Sequence, residues 1–265
     1  MILDEIVANK HGEVAEAKTR VALAEIRARA QAAPAPRDFA RALKRECVAL
    51  IAEIKRASPS RGELNAHVDP PPRARAYAEH GAAAISVLTD AKYFNGSLDD
   101  LRAVRAVVDA PVLRKDFIVD EYQIYQARAG GADAILLIVR VLSDAQLREY
   151  GALAQSLGMS ALVEIHDESE LDRALAADAR IVGINNRNLA DFTVDLATTE
   201  MLAPKIGCGK IVVAESGVFT RAEVERVARV GVHAVLVGEA LMRAEEVGAK
   251  VRELADVPRP ERSAA

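Results

Sequence analysis

The chain has 265 residues, 51% hydrophobic and 28% charged, with a formal net charge of -4. That length can bury a sizeable core, in one large α/β domain or in two small ones. The acidic balance argues against a mainly electrostatic nucleic-acid binder, although a local basic cluster can still receive a small anion.

The first 33 residues read as one long helix, with Ile2, Ile6, Val14, Val21, Ala24 and Ile26 at roughly helical spacing among charges. Pro34 and Pro36 interrupt it, and Asp38 is a plausible N-cap for a short helix ending at Arg45. From residue 46 the pattern becomes regular. Apolar strand-like runs fall at 47–55, 83–89, 111–115, 134–139, 161–164, 181–185, 211–215 and 234–237. Helix-like segments lie between them, at 98–108, 121–129, 145–156, 168–176 and 222–230, and Asp69-Pro70-Pro71-Pro72 opens the first of the series. Gly81, Gly130-Gly131, Gly158 and Gly231 precede strands, where glycine relieves the turn that ends a helix.

Eight strands alternating with helices predict one (β/α)8 TIM barrel over 46–256. Residues 1–45 are then an N-terminal helical extension packed on it, and 257–265 a disordered tail. An open doubly wound sheet is the structural rival, but no Gly-x-Gly-x-x-Gly follows a strand. Cys47 and Cys208 show no metal or redox spacing, nor do the five histidines show ligand spacing. The start, Met-Ile-Leu-Asp-Glu-Ile, lacks the basic-then-apolar order of a signal peptide. The longest apolar run, 134–139, is far too short to span a bilayer. A soluble cytoplasmic protein with no metal, no nucleic-acid partner and no membrane contact is expected. No repeat or heptad points to an interface, so a monomer is expected.

Several strands begin apolar and end polar: Glu53 and Lys55 on the first, Lys115 on the third and Glu164 on the fifth. Asn185, leading to Arg187, ends the sixth, and Glu215-Ser216 the seventh. Strand ends often simply meet water, but in a barrel all of these meet at the face where active sites are built. Crowded carboxylates and amines have the shifted pKa values that acid–base catalysis uses. Gly217 after the seventh strand and Gly238-Glu239 after the eighth add a candidate anion site of backbone N–H groups. Together these favour an enzyme acting on a phosphorylated substrate.

Six stretches carry a more specific signal: Ala52-Glu53-Ile54-Lys55-Arg56-Ala57-Ser58-Pro59-Ser60, Val87-Leu88-Thr89-Asp90 with Tyr93-Phe94-Asn95-Gly96-Ser97, Leu113-Arg114-Lys115-Asp116-Phe117-Ile118, Leu162-Val163-Glu164-Ile165-His166, Gly183-Ile184-Asn185-Asn186-Arg187-Asn188-Leu189 and Ala214-Glu215-Ser216-Gly217. In this order and spacing the chain closely resembles indole-3-glycerol phosphate synthase of tryptophan biosynthesis. The resemblance implies ring closure of 1-(2-carboxyphenylamino)-1-deoxyribulose 5-phosphate with loss of carbon dioxide and water, and no cofactor. It implies Lys115 as general acid and Glu164 as general base. Lys55 would lie near the substrate carboxylate, either binding it or taking part in proton transfer, with Glu53 orienting the lysines. Asn185 and Glu215 would hold substrate hydroxyls or ammonium groups, and Arg187 would position the site. Phosphate would lie near Gly217, Gly238 and Glu239, with Ser58, Lys55 or Ser216 as further donors. Leu88, Phe94, Phe117 and Leu136 would wall the anthranilate ring, and the N-terminal helices would border the site.

Two features depart from the family pattern. Position 239 is Glu where some relatives have serine, and three prolines follow Asp69 beside the loop 58–62. That loop, with its Ser, Arg and Gly content, is the expected mobile lid. Other phosphate-binding barrels remain as rivals: a phosphoribosyl-anthranilate-type isomerase, a Schiff-base aldolase using Lys115, or a non-catalytic scaffold. For the isomerase, Cys47 lies at the wrong end of its strand.

Overall fold

Eight strands form where the apolar runs fall: β1 (Ala49–Ile54), β2 (Ala84–Leu88), β3 (Val112–Lys115), β4 (Ala134–Ile138), β5 (Ser160–Ile165), β6 (Ile181–Asn185), β7 (Ile211–Glu215) and β8 (Ala234–Val237). The computed structural model describes residues 2–60, 62–188 and 191–260. Arg61 of the expected lid, Leu189 at the end of the Gly183–Leu189 motif, and residues 261–265 lie outside that set. Each strand pairs in parallel with the next, and β8 closes on β1 through Ala49–Ala234 to Ala52–Val237. Closure excludes the open-sheet rival.

Alternation sorts each strand between two cores. Ala49, Ile51, Leu113, Leu136, Leu162, Ile181, Val213 and Leu236 fill the barrel. Leu50, Ala52, Ile54, Val163, Ile165 and Val212 face the helices outside. Both faces are buried, which is why the runs read as continuously apolar.

The extension departs from expectation. Its single long helix is two, α1 (Ile2–Arg20) and α2 (Leu23–Ala32), with Ala22 extended at φ -64° and ψ 151°. The cause lies in another element: the Tyr122 hydroxyl donates to the carbonyls of Ala17 and Val21 at 3.1 and 2.9 Å. The last turn of α1 is thereby ended on the barrel, and Val14, Ile26, Val119 and Tyr122 pack together beneath it. A third helix, α3 (Phe39–Leu43), starts at Asp38, whose carboxylate accepts from the Arg41 backbone N–H at 2.8 Å. Phe39 and Leu43 are fully buried in the same cluster as Ala49 and Ala84, at the strand beginnings, and so plug the barrel floor.

Pro70 begins the helix Pro70–Glu79, where a missing N–H costs nothing. Beyond the elements that the apolar pattern marks, the fold contains the helices Ala91–Phe94, Ala197–Leu202, Glu239–Met242 and Val247–Ala255, and a hairpin of Ala57–Ser58 with Gly62–Glu63. Residues 257–260, expected in a tail, are docked: the Val48 N–H donates to the Val257 carbonyl at 2.8 Å, and that of Arg259 to Glu46 at 3.1 Å. Among the described residues no helix is long and apolar enough to cross a membrane.

Candidate active site

The alternation that puts Ala49 and Ile51 inside the barrel brings Glu53 and Lys55 to its mouth. The same rule delivers Lys115, Glu164, Asn185 and Glu215 to one cavity over the strand ends. There the Lys115 ammonium stands 3.0 Å from Glu164 Oε2 and 3.2 Å from Glu215 Oε2. Lys55 Nζ pairs with Glu53 Oε1 at 2.8 Å, and the Ser86 hydroxyl donates to Glu53 Oε2 at 3.4 Å. Asn185 is used at both ends of its amide. Nδ2 donates to Glu164 Oε1 at 3.2 Å, and Oδ1 accepts from the Arg187 backbone N–H at 3.0 Å.

Two glycines make room for these carboxylates. A Cβ on Gly183 would lie 2.1 Å from Glu215 Oε1, and one on Gly238 would lie 2.6 Å from Glu53 Oε1. Neither is a distance that packed atoms adopt.

One lysine facing several acids titrates them unequally. Burial disfavours the Lys115 ammonium, but Glu164, Glu215 and Glu53 outweigh it and raise its pKa. Burial likewise opposes ionisation of Glu164, yet Lys115, His166 and two hydrogen bonds bring it down to about 2. Glu215 goes the other way, to about 7. Burial and the charges of Glu164 and Glu53 push it up, and Lys115 offsets them only in part. The site therefore holds a charged ammonium, a charged carboxylate and a carboxyl poised near neutrality.

Leu88, Phe94, Phe117 and Leu136 all line the cavity, and the Phe94 and Phe117 ring centres are 6.0 Å apart. Ser58, Arg187, Ser216 and Glu239 line it too. The Glu239 carboxylate lies between two arginines, 3.2 Å from Arg243 and 3.9 Å from Arg187. Gly217 and Gly238 are not among the lining residues. Gly238 yields space to Glu53, and Gly217 carries a turn at φ 84°. Ser216 beside it has φ 65°, a strained value for a residue with a side chain. The Asn186 amide holds that turn by donating to the carbonyls of Glu215 and Ser216 at 3.0 and 3.1 Å.

Residue-by-residue reading missed part of the wall. Ile138 and Leu236 follow from strand alternation, and Asp116 adjoins Lys115. Pro59, Ser60 and Leu64 come from the loop after β1, Phe192 from the loop after β6, and Ile2, Leu3 and Ile6 from α1. No pattern in the local sequence marks the last group, because long-range packing puts α1 there. Several motif residues instead build the frame. Arg56 ties the loop after β1 to Asp100 at 2.6 Å, Gly96 leaves no room for a Cβ beside the Leu88 carbonyl, and Ser97 caps the next helix.

The family described as indole-3-glycerol phosphate synthase matches residues 3–254. The chain belongs to that family. Relatives named indole-3-glycerol phosphate synthase from Roseiflexus sp. (strain RS-1) and Polaromonas sp. (strain JS666 / ATCC BAA-500) are each 51% identical, over 262 and 257 residues. Both alignments cover 96% of this chain and 97% of the relative. The resemblance carried by the six motifs is thus a family relationship over the whole chain, and the isomerase, aldolase and scaffold readings fall away. Among solved structures, a 3-hexulose-6-phosphate synthase matches with a TM-score of 0.63 at 18% identity, over 78% of this chain and 98% of that one. At that identity the likeness speaks for the barrel alone.

Proposed function

We propose that this chain carries out the reaction of its family, closing 1-(2-carboxyphenylamino)-1-deoxyribulose 5-phosphate to indole-3-glycerol phosphate with loss of carbon dioxide and water. The observation that carries the residue roles is the Lys115 ammonium held between Glu164 and Glu215, beside an apolar wall at the barrel mouth. The substrate asks for three things: a flat apolar berth for the aromatic ring, a cation for its carboxylate, and acid and base groups around its ketone. Leu88, Phe94, Phe117 and Leu136 supply the berth, and Lys55 the cation. Lys115, kept protonated by its acidic neighbours, gives a proton to the carbonyl oxygen as the aromatic carbon attacks it.

Carbon dioxide then leaves from the attacked ring carbon. The new hydroxyl departs as water with a second proton from an acid, while a base takes the proton whose loss restores the aromatic ring. Glu164, held ionised beside Lys115, is the carboxylate placed to take that proton. Glu215 and Asn185 hold the ammonium and carboxylate in place, and Arg187, Ser58, Ser216 and the backbone near Glu239 face the phosphate end. The substrate is small and phosphorylated, and the working unit is a monomer.

Purified protein, with a chelator present, is expected to convert the carboxyphenylamino substrate to indole-3-glycerol phosphate, read by the rise of indole fluorescence. No product from well-folded protein would sink the proposal. Lys115→Met and Glu164→Gln are each expected to lower turnover by about 100-fold or more. Near-normal turnover in either variant removes the role given to that residue.

A further inference from the structure

Behind Glu164 lies a buried histidine that the reaction above does not use. His166 follows Glu164 by two residues at the end of β5, with its side chain 5% exposed. Its Nε2 points at Glu164 Oε1 from 3.4 Å and, among the described residues, has no hydrogen-bond partner. On the other side, Nδ1 lies 3.1 Å from Glu170 Oε2, which also accepts from the His166 backbone N–H at 2.8 Å. The second oxygen of Glu170 accepts from Arg140 Nε at 2.6 Å.

We propose that His166 is a positioning residue for Glu164, acting as an imidazolium that steers the carboxylate and is itself oriented by Glu170 and Arg140.

Glu170 is a carboxylate and can only accept, so Nδ1 carries a proton. A neutral ring would then aim the Nε2 lone pair at Glu164, an uncompensated repulsion in a buried place. A second proton on Nε2 turns the contact into attraction. The charged groups facing the ring are Glu164 on β5, Glu170 on the helix Glu168–Ala176, and Arg140 from the loop after β4. Burial and Arg140 oppose the charge, the two carboxylates outweigh them, and the imidazole titrates above its ordinary value. In return the imidazolium helps to keep Glu164 ionised as a base. Lys115 and Asn185 occupy the remaining approaches to Glu164.

This inference rests on Glu164 being the base, and the test separates the two claims. Titrating the His166 ring by NMR in the wild-type chain and in Glu164→Gln is expected to show the midpoint about one pH unit lower in the variant. Equal midpoints overturn the coupling, whatever the activity of Glu164→Gln. A fully active Glu164→Gln removes the base assignment and leaves the titration standing. His166→Gln is expected to lower kcat by roughly tenfold, with KM little changed and the acidic limb of the kcat profile moved to higher pH. A folded His166→Gln whose kcat profile superimposes on the wild type also overturns the proposal.

Discussion

Glu164 and Glu215 share one lysine and are both almost wholly buried, yet they stand on opposite sides of the ordinary carboxylate value. The difference is mainly one of charge: beyond Lys115, which both share, Glu164 faces His166, whereas Glu215 faces the carboxylates of Glu164 and Glu53. Glu164 also accepts hydrogen bonds from Lys115 and Asn185, whereas Lys115, 3.2 Å away, is the group that offsets the burial of Glu215. The two groups therefore affect stability in different pH windows. Glu164, depressed to about 2, contributes stability that is present above pH 4.5 and lost as pH falls through 2. Glu215, raised to about 7, contributes stability that is present below pH 4.5 and lost as pH rises from 4.5 through 7. Glu215→Gln carries no such titration. Its melting temperature relative to wild type is expected to rise between pH 5 and pH 8, by an amount on the order of a few kcal/mol in stability. Thermal melts of both proteins at the two pH values check this, and a constant gap between them rules it out.

At the scale of elements, the join between α1 and the barrel is ionic as well as apolar. Lys10 is 3% exposed and sits 2.8 Å from Asp90, 3.0 Å from Asp116 and 2.7 Å from Glu13. Burial opposes its charge, but the carboxylates overcome that and raise its pKa. Asp90 caps the helix Ala91–Phe94, and Asp116 accepts from Thr89 and Arg114 next to Lys115. One ammonium thus fixes α1, with its wall residues Leu3 and Ile6, to the ends of β2 and β3. Lys10→Met leaves buried Asp90 without its ammonium and Asp116 with Arg114 alone, and is expected to cost about 3 kcal/mol by denaturant unfolding. It is also expected to raise KM severalfold by loosening the wall. Lys18, whose pairing with Asp120 is solvent-exposed, is the control: Lys18→Ala is expected to cost less than about 1 kcal/mol. Equal costs for the two variants refute a special role for the buried cluster.

For the whole molecule, legibility follows range. The barrel was readable because each strand announces itself locally through an apolar run, a polar end and a glycine before it, and closure follows from repeating that unit. The polar mouth was readable because alternation sends Glu53, Lys115, Glu164, Asn185 and Glu215 inward once the strands are placed. The break in α1–α2 was not, because its cause is a hydroxyl on Tyr122, about one hundred residues away. That the N-terminal helices border the site came from the resemblance, but which residues of α1 form the wall is set by long-range packing and has no local mark. The layout also differs between the two ends of the barrel, with the charged cavity at the strand ends and a plug of Phe39 and Leu43 at the strand beginnings. Phe39 is fully buried, so Phe39→Ala is expected to cost about 3–5 kcal/mol through the lost burial and the cavity left behind. It packs with the strand beginnings, at the end of the barrel opposite the charged cavity, so kcat and KM measured well below the lowered melting point are expected to match the wild type. Denaturant unfolding and steady-state kinetics on the same preparation decide it. A destabilised variant whose KM also rises tenfold would show that floor and mouth are coupled through the packed barrel interior.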